Sequence, residues 1–70
     1  MKESKVEFFK RRLYSDFEYW NMTITRELLL NLLAVNAQYN TETSRHLTEA
    51  IRRIWREQFD SDTMDIIHHI

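Results

Sequence analysis

The chain contains neither glycine nor proline in its 70 residues. Glycine supplies the positive-φ positions of tight hairpins, and proline presets the φ of many turns. A chain lacking both has no cheap way to reverse direction every few residues, which weighs against a multi-stranded β architecture. Leucine, arginine and glutamate are abundant instead, and all three favour helix. With 43% hydrophobic and 13% aromatic residues, the sequence is too apolar to remain an unfolded tail. The expectation is a mainly α fold of three to four short helices. Residues 20–25 alone are open to a strand reading.

Seventy residues make one domain. A domain of this size buries only about 60% of its unfolded surface, and such a core supplies about 3–5 kcal/mol. Cysteine is absent, so neither disulfides nor thiolate metal sites add to that. A second copy of the chain is the simplest further source of buried surface, and a homodimer is therefore expected. The lack of cysteine also fits a reducing compartment. No stretch approaches the ~18 apolar residues of a membrane span, and Lys2 and Lys5 are not followed by the apolar block of a leader. A cytoplasmic location with no membrane partner is expected.

Ser4 and Glu7 have capping-box spacing. Beyond them Val6, Phe9, Leu13 and Phe17 recur at helical steps, widened by Phe8 and Tyr14, predicting a helix over 4–18. From Tyr19 the pattern alternates: Trp20, Met22 and Ile24 against Asn21, Thr23 and Thr25. Residues 20–25 thus read either as a short half-buried strand or as a linker, with Thr23 or Thr25 capping the next helix.

Residues 26–39 form a helix of unusual apolar breadth, with Leu28, Leu29, Leu30, Leu32, Leu33 and Val35, and should be the central element. Asn40 stands where a left-handed C-cap is needed. A third helix is expected over 43–59, N-capped by Thr43 or Ser44. Its stripe is Leu47, Ile51, Ile54 or Trp55, and Phe59, and its outer face carries Arg45, Glu49, Arg52, Arg53, Arg56 and Glu57. Met64, Ile67 and Ile70 suggest a short helix or tail over 62–70.

Catalytic and metal chemistry find little support. His68 and His69 are adjacent, so on a helix they point about 100° apart, and His46 is remote from them. There is no glycine-framed serine and no phosphate loop. No enzyme activity, metal or cofactor is expected. Net charge is −1, divided into +2 over residues 1–59 and −3 over 60–70, which is no strong electrostatic footprint for nucleic acid.

Residues 20–55 nevertheless resemble the ribbon-helix-helix family of small dimeric repressors and antitoxins. The resemblance rests on Trp20-Asn-Met-Thr-Ile-Thr25, the leucine-rich helix to Tyr39, the turn at Asn40, and then Ser44, Leu47, Ala50, Ile51 and Trp55. It implies a homodimer whose paired strands enter the DNA major groove. Trp20, Met22, Ile24, Leu28, Leu32, Val35, Leu47, Ile51 and Trp55 would then form the dimer and domain core. Asn21 and Thr23, with Tyr19 or Thr25, would face base edges, and the backbone at Thr43 and Ser44 would hold a phosphate. The chain departs from the family in having Asn40 where glycine is usual, and no Arg or Lys on the ribbon. Two functions follow from these readings. The leading one is a dimeric DNA-binding regulator. The alternative is an all-α module that binds a target protein through Phe8, Tyr14, Tyr19 and Trp20.

Overall fold

The computed structural model describes residues 3–59 as three helices: α1 (Lys5–Tyr19), α2 (Arg26–Ala37) and α3 (Glu42–Phe59). The expected helix or tail at 62–70 lies outside the described residues.

Each helix start follows from a short hydroxyl side chain. Ser4 Oγ accepts from the Glu7 N–H at 3.1 Å and opens α1. Only this half of the anticipated capping box is used, because the Glu7 carboxylate turns to α3. Thr25, in extended backbone, caps α2 by accepting from Leu28 N–H at 3.0 Å. At α3 the cap is Thr41, where Thr43 or Ser44 was expected. Thr41 Oγ1 accepts from Ser44 N–H at 3.1 Å, and Ser44 Oγ accepts from Thr41 N–H at 3.2 Å. This is the reciprocal pairing of a capping box, with serine at the third helical position. The Ser44 hydroxyl also stands 2.9 Å from the Tyr39 and Thr41 carbonyls, and the side chain is buried.

The stop of α1 decides what residues 20–25 do. Met22 N–H bonds back to the Phe17 carbonyl at 2.7 Å and Asn21 N–H to the Glu18 carbonyl at 3.1 Å. These are the two bonds of a Schellman motif, whose C′ residue must be left-handed. Asn21 occupies that place with φ 54°. It is the one positive-φ residue among the described residues, so Asn40 is not the left-handed cap anticipated for α2. That helix ends instead on short-range bonds, Gln38 N–H to Val35 O and Tyr39 N–H to Asn36 O. Tyr19 belongs to α1, Trp20 and Asn21 form the turn, and Met22–Thr25 carry no regular structure. No strand is present among the described residues.

Because a left-handed backbone favours glycine over any residue with a Cβ, Asn21→Gly should raise the thermal midpoint by a few degrees. Asn21→Val should cost about 1–2 kcal/mol. Thermal and urea unfolding check both, and unchanged stability in the valine variant would refute the motif.

The central element is α3, not α2. It packs against both other helices, whose backbones do not approach each other. Of the six buried apolar side chains among the described residues, α3 provides Ala50, Ile51, Ile54 and Trp55, while α1 gives Phe17 and α2 gives Leu29. Leu13, Tyr14, Ile24, Leu28, Leu30, Leu32, Leu33 and Phe59 close around that cluster as half-buried neighbours. Trp55 meets Phe59 edge-on at 5.7 Å, and the Arg26 guanidinium lies 4.6 Å over the Phe59 ring. α2 leans on α3 along only one side, which its apolar composition does not reveal.

Candidate interaction surfaces

Three surface features stand out, and each starts from how the helices present their side chains. The first lies between α1 and α3. Glu7, Lys10 and Tyr14 share one face of α1 at helical spacing, and Arg53 and Glu57 share the facing side of α3. Arg53 Nη1 donates to Glu7 Oε2 at 2.7 Å, and Lys10 Nζ sits 3.3 Å from Glu7 Oε1. Lys10 also pairs with Glu57 Oε2. Tyr14 Oη donates to Glu57 Oε1 at 2.8 Å and accepts from Gln58 Nε2 at 3.3 Å.

The Arg53 hydrogen bond, followed by that of Lys10, holds the Glu7 carboxyl below its ordinary value. Lys10, and then Tyr14, do the same for Glu57. Glu57 in turn raises Lys10. Burial, more than any partner, raises the Tyr14 phenol. Every charge is matched by an opposite one across the interface, so the network ties α1 to α3.

The direction of each shift sets the pH dependence. Glu7 and Glu57 are depressed, so their contribution is present above the carboxylate range and is lost as pH falls through their folded values. Lys10 is raised, so its contribution is full below its unfolded value near 10.5 and is lost as pH rises through the higher folded one. Tyr14 acts in the same alkaline window, since the unfolded chain releases its phenolic proton first. Urea midpoints should therefore fall on both flanks of a neutral plateau. Lys10→Met should flatten the acid and alkaline slopes together, and slopes indifferent to that substitution would show that the network does not form in solution.

The second feature is a shallow cleft between α2 and α3, lined by Asn36, Tyr39, Ser44, Arg45, Thr48 and Arg52. Its cations are engaged locally: Arg45 donates to Asn40 Oδ1 at 3.2 Å, and Arg52 lies 4.0 Å from Glu49. Arg52 Nε is enclosed and has no hydrogen-bond partner. Of the four arginines on this face of α3, Arg52 and Arg53 meet carboxylates, Arg45 meets a neutral amide, and Arg56 is exposed. Of the two glutamates on this face, Glu49 lies near Arg52, whereas Glu57 reaches Lys10 and Tyr14 of α1.

The third feature is apolar. Tyr19 and Trp20 are 79% and 68% exposed, and their rings meet edge-on at 5.0 Å. Met22, Phe8, Val35 and Tyr39 are also exposed. Phe8 packs edge-on against Phe9 beside a shallow hollow formed with Arg11, Arg12 and Ser15. Tyr14, anticipated as an exposed anchor, is half-buried and occupied by Glu57.

Of the residues assigned to DNA, Asn21 is the left-handed stop of α1, Thr25 caps α2, and Ser44 is buried with its N–H taken by Thr41. Thr23 and Thr43 are exposed. These side chains lie at two separate turns. Of the residues assigned to the dimer and domain core, Ile51 and Trp55 are buried, and Ile24, Leu28, Leu32 and Leu47 are half-buried. Trp20, Met22 and Val35 face outward in the single chain. His46 is half-buried on α3. The described residues bring together no group of three or more His, Cys, Asp or Glu side chains able to hold a metal. None of the described helices is long and apolar enough to cross a membrane. No protein-family model matches the chain, and no curated protein or solved structure matches it.

Proposed function

We propose that this chain, as a homodimer, is a cytoplasmic, non-enzymatic interaction module that grips a target protein through the aromatic end of α1. The observation that carries this reading is the exposure of Tyr19 and Trp20, beside Met22, on a turn closed by the Asn21 stop and its two backbone hydrogen bonds. Tyrosine and tryptophan are enriched among binding hot spots because they bury much area for few rotatable bonds. Holding them on a fixed backbone lowers the ordering cost of association further. Most of the indole and phenol surface stays in water in the single chain and is available to a partner.

The engagement of the arginines favours a protein over DNA as the target. Affinity for DNA rests on cations free to neutralise phosphates. Here Arg53, Arg52 and Arg11 face Glu7, Glu49 and Glu3, and Lys10 lies between two glutamates, which leaves Arg12, Arg26, Arg45 and Arg56 as the arginines without a carboxylate partner among the described residues.

Two measurements on the full chain test the proposal. A target captured by the parent should be lost with Tyr19→Ser/Trp20→Ser, while far-UV circular dichroism stays that of the parent. In fluorescence anisotropy the chain should leave mixed-sequence duplex DNA unbound at low salt. Tight, salt-sensitive duplex binding abolished by Thr23→Ala, with no protein captured, would replace this reading with the ribbon-helix-helix regulator.

A further inference from the structure

α2 begins where α3 ends. The guanidinium of Arg26, the first residue of α2, lies 4.6 Å over the ring of Phe59, the last residue of α3. The positive end of one helix dipole thus stands beside the negative end of the other. Each end is followed or opened by charge of the unfavourable sign. Arg26 puts a cation at a helix N-terminus, and the chain that leaves Phe59 continues with Asp60 and Asp62. No carboxylate of the described residues lies within ion-pair distance of Arg26, its sequence neighbour Glu27 included. The same holds for Arg56, the exposed cation in the last turn of α3. Residues 60–70 carry Asp60, Asp62 and Asp65 with neither lysine nor arginine. Two unmatched arginines therefore flank the point at which an unmatched acidic segment begins.

We propose that Asp60 and Asp62 act as a strap across these two helix ends, their carboxylates shared between Arg26 of α2 and Arg56 of α3. The reach is short. Three extended residues span about 10 Å, and Arg26 already rests on the ring of the residue before Asp60. The strap relieves both unfavourable charges together, because an anion arrives at the start of α2 and a cation at the end of α3.

α2 is the helix that gains from such a hold. Leu29 is its one side chain fully enclosed in the core, whereas α1 is joined to α3 by the Glu7–Arg53 and Lys10–Glu57 pairs as well as by apolar contact. The strap adds the corresponding charged link on the α2 side. A separate acidic partner would reach the same arginines only by diffusion, while the covalent tether holds the aspartates beside them at on the order of millimolar effective concentration. Tyr19, Trp20 and Met22 take no part in the strap, so this inference and the target-binding reading fail separately.

The sign of one substitution tests the strap. If the aspartates made no contact, Asp60→Asn/Asp62→Asn would favour the fold slightly, since it removes anions next to the negative end of α3. With the strap the effect reverses. Amide hydrogen exchange of residues 26–37 in the full chain should accelerate about threefold, the size of one exposed ion pair, and high salt should shrink the difference. In an Arg26→Gln background the acceleration should vanish, as a double-mutant cycle requires of interacting partners. It should also be independent of protein concentration. Exchange that is unchanged or slower in the asparagine variant would overturn the strap. Acceleration of full size in the Arg26→Gln background would overturn it too, by removing Arg26 as its seat. An effect present only at high protein concentration would assign the aspartates to a second copy and overturn the intrachain contact.

Discussion

Trp55→Ala should leave the domain largely unfolded in water at room temperature. Trp55 is 1% exposed and lies in one cluster with Phe17, Leu29, Ile51 and Ile54, which draws on all three helices. Truncating a buried tryptophan to alanine costs about 3–5 kcal/mol, through lost transfer energy and the cavity left behind. A core of this size supplies about the same total. Trp55→Phe should keep a cooperative transition, because much of the volume and the edge-on contact with Phe59 survive. Urea titrations followed by far-UV circular dichroism distinguish the outcomes. An alanine variant that unfolds cooperatively with a loss under about 1 kcal/mol would mean that Trp55 is not the hub of the fold.

The role of Trp55 was partly legible in the sequence. α3 separates its charged residues from Leu47, Ile51, Ile54, Trp55 and Phe59 cleanly, and a helix with one apolar stripe has only one way to face a core. The burial of Ile51, Ile54 and Trp55 followed, whereas the helix is capped by Thr41 and not by Thr43 or Ser44. α2 is ambiguous for the opposite reason. Six bulky apolar residues spread around its circumference fit a helix covered on several sides, and equally a helix covered on one side and waiting for a partner. Periodicity cannot separate these. The apolar breadth pointed to a central helix, whereas the structure shows α3 in that place and leaves Val35 and Tyr39 in the open.

Residues 20–25 misled for a local reason. Alternation of Trp20, Met22 and Ile24 with Asn21, Thr23 and Thr25 is a statement about side-chain types. The conformation turns on one φ angle, at Asn21, which the alternation does not encode. Asparagine is the commonest substitute for glycine at a left-handed stop, so in a chain without glycine each asparagine was a candidate. Asn40 was picked for this role, and Asn21 fills it. The network of Glu7, Lys10, Tyr14, Arg53 and Glu57 was beyond reach as well. Helical spacing shows which of these side chains share a face, but not that the α1 face meets the α3 face. Once it does, Arg53 finds Glu7 across 46 positions of sequence.

Leu29→Ala should show that α2 is attached as a separable element. Leu29 is the one α2 side chain fully enclosed in the core. Its truncation should cost about 2–5 kcal/mol, as for other buried leucines. That loss should fall unevenly. α1 and α3 are held together by their own apolar contacts and by the Glu7–Arg53 and Lys10–Glu57 pairs, while the α2 backbone does not approach α1 and no α2 side chain joins these pairs. Amide hydrogen exchange should therefore accelerate most in residues 26–37, while α1 and α3 keep more of their protection. Uniform acceleration across all three helices would instead show that α2 and the α1–α3 pair unfold as one unit, with the single leucine sufficient to couple them.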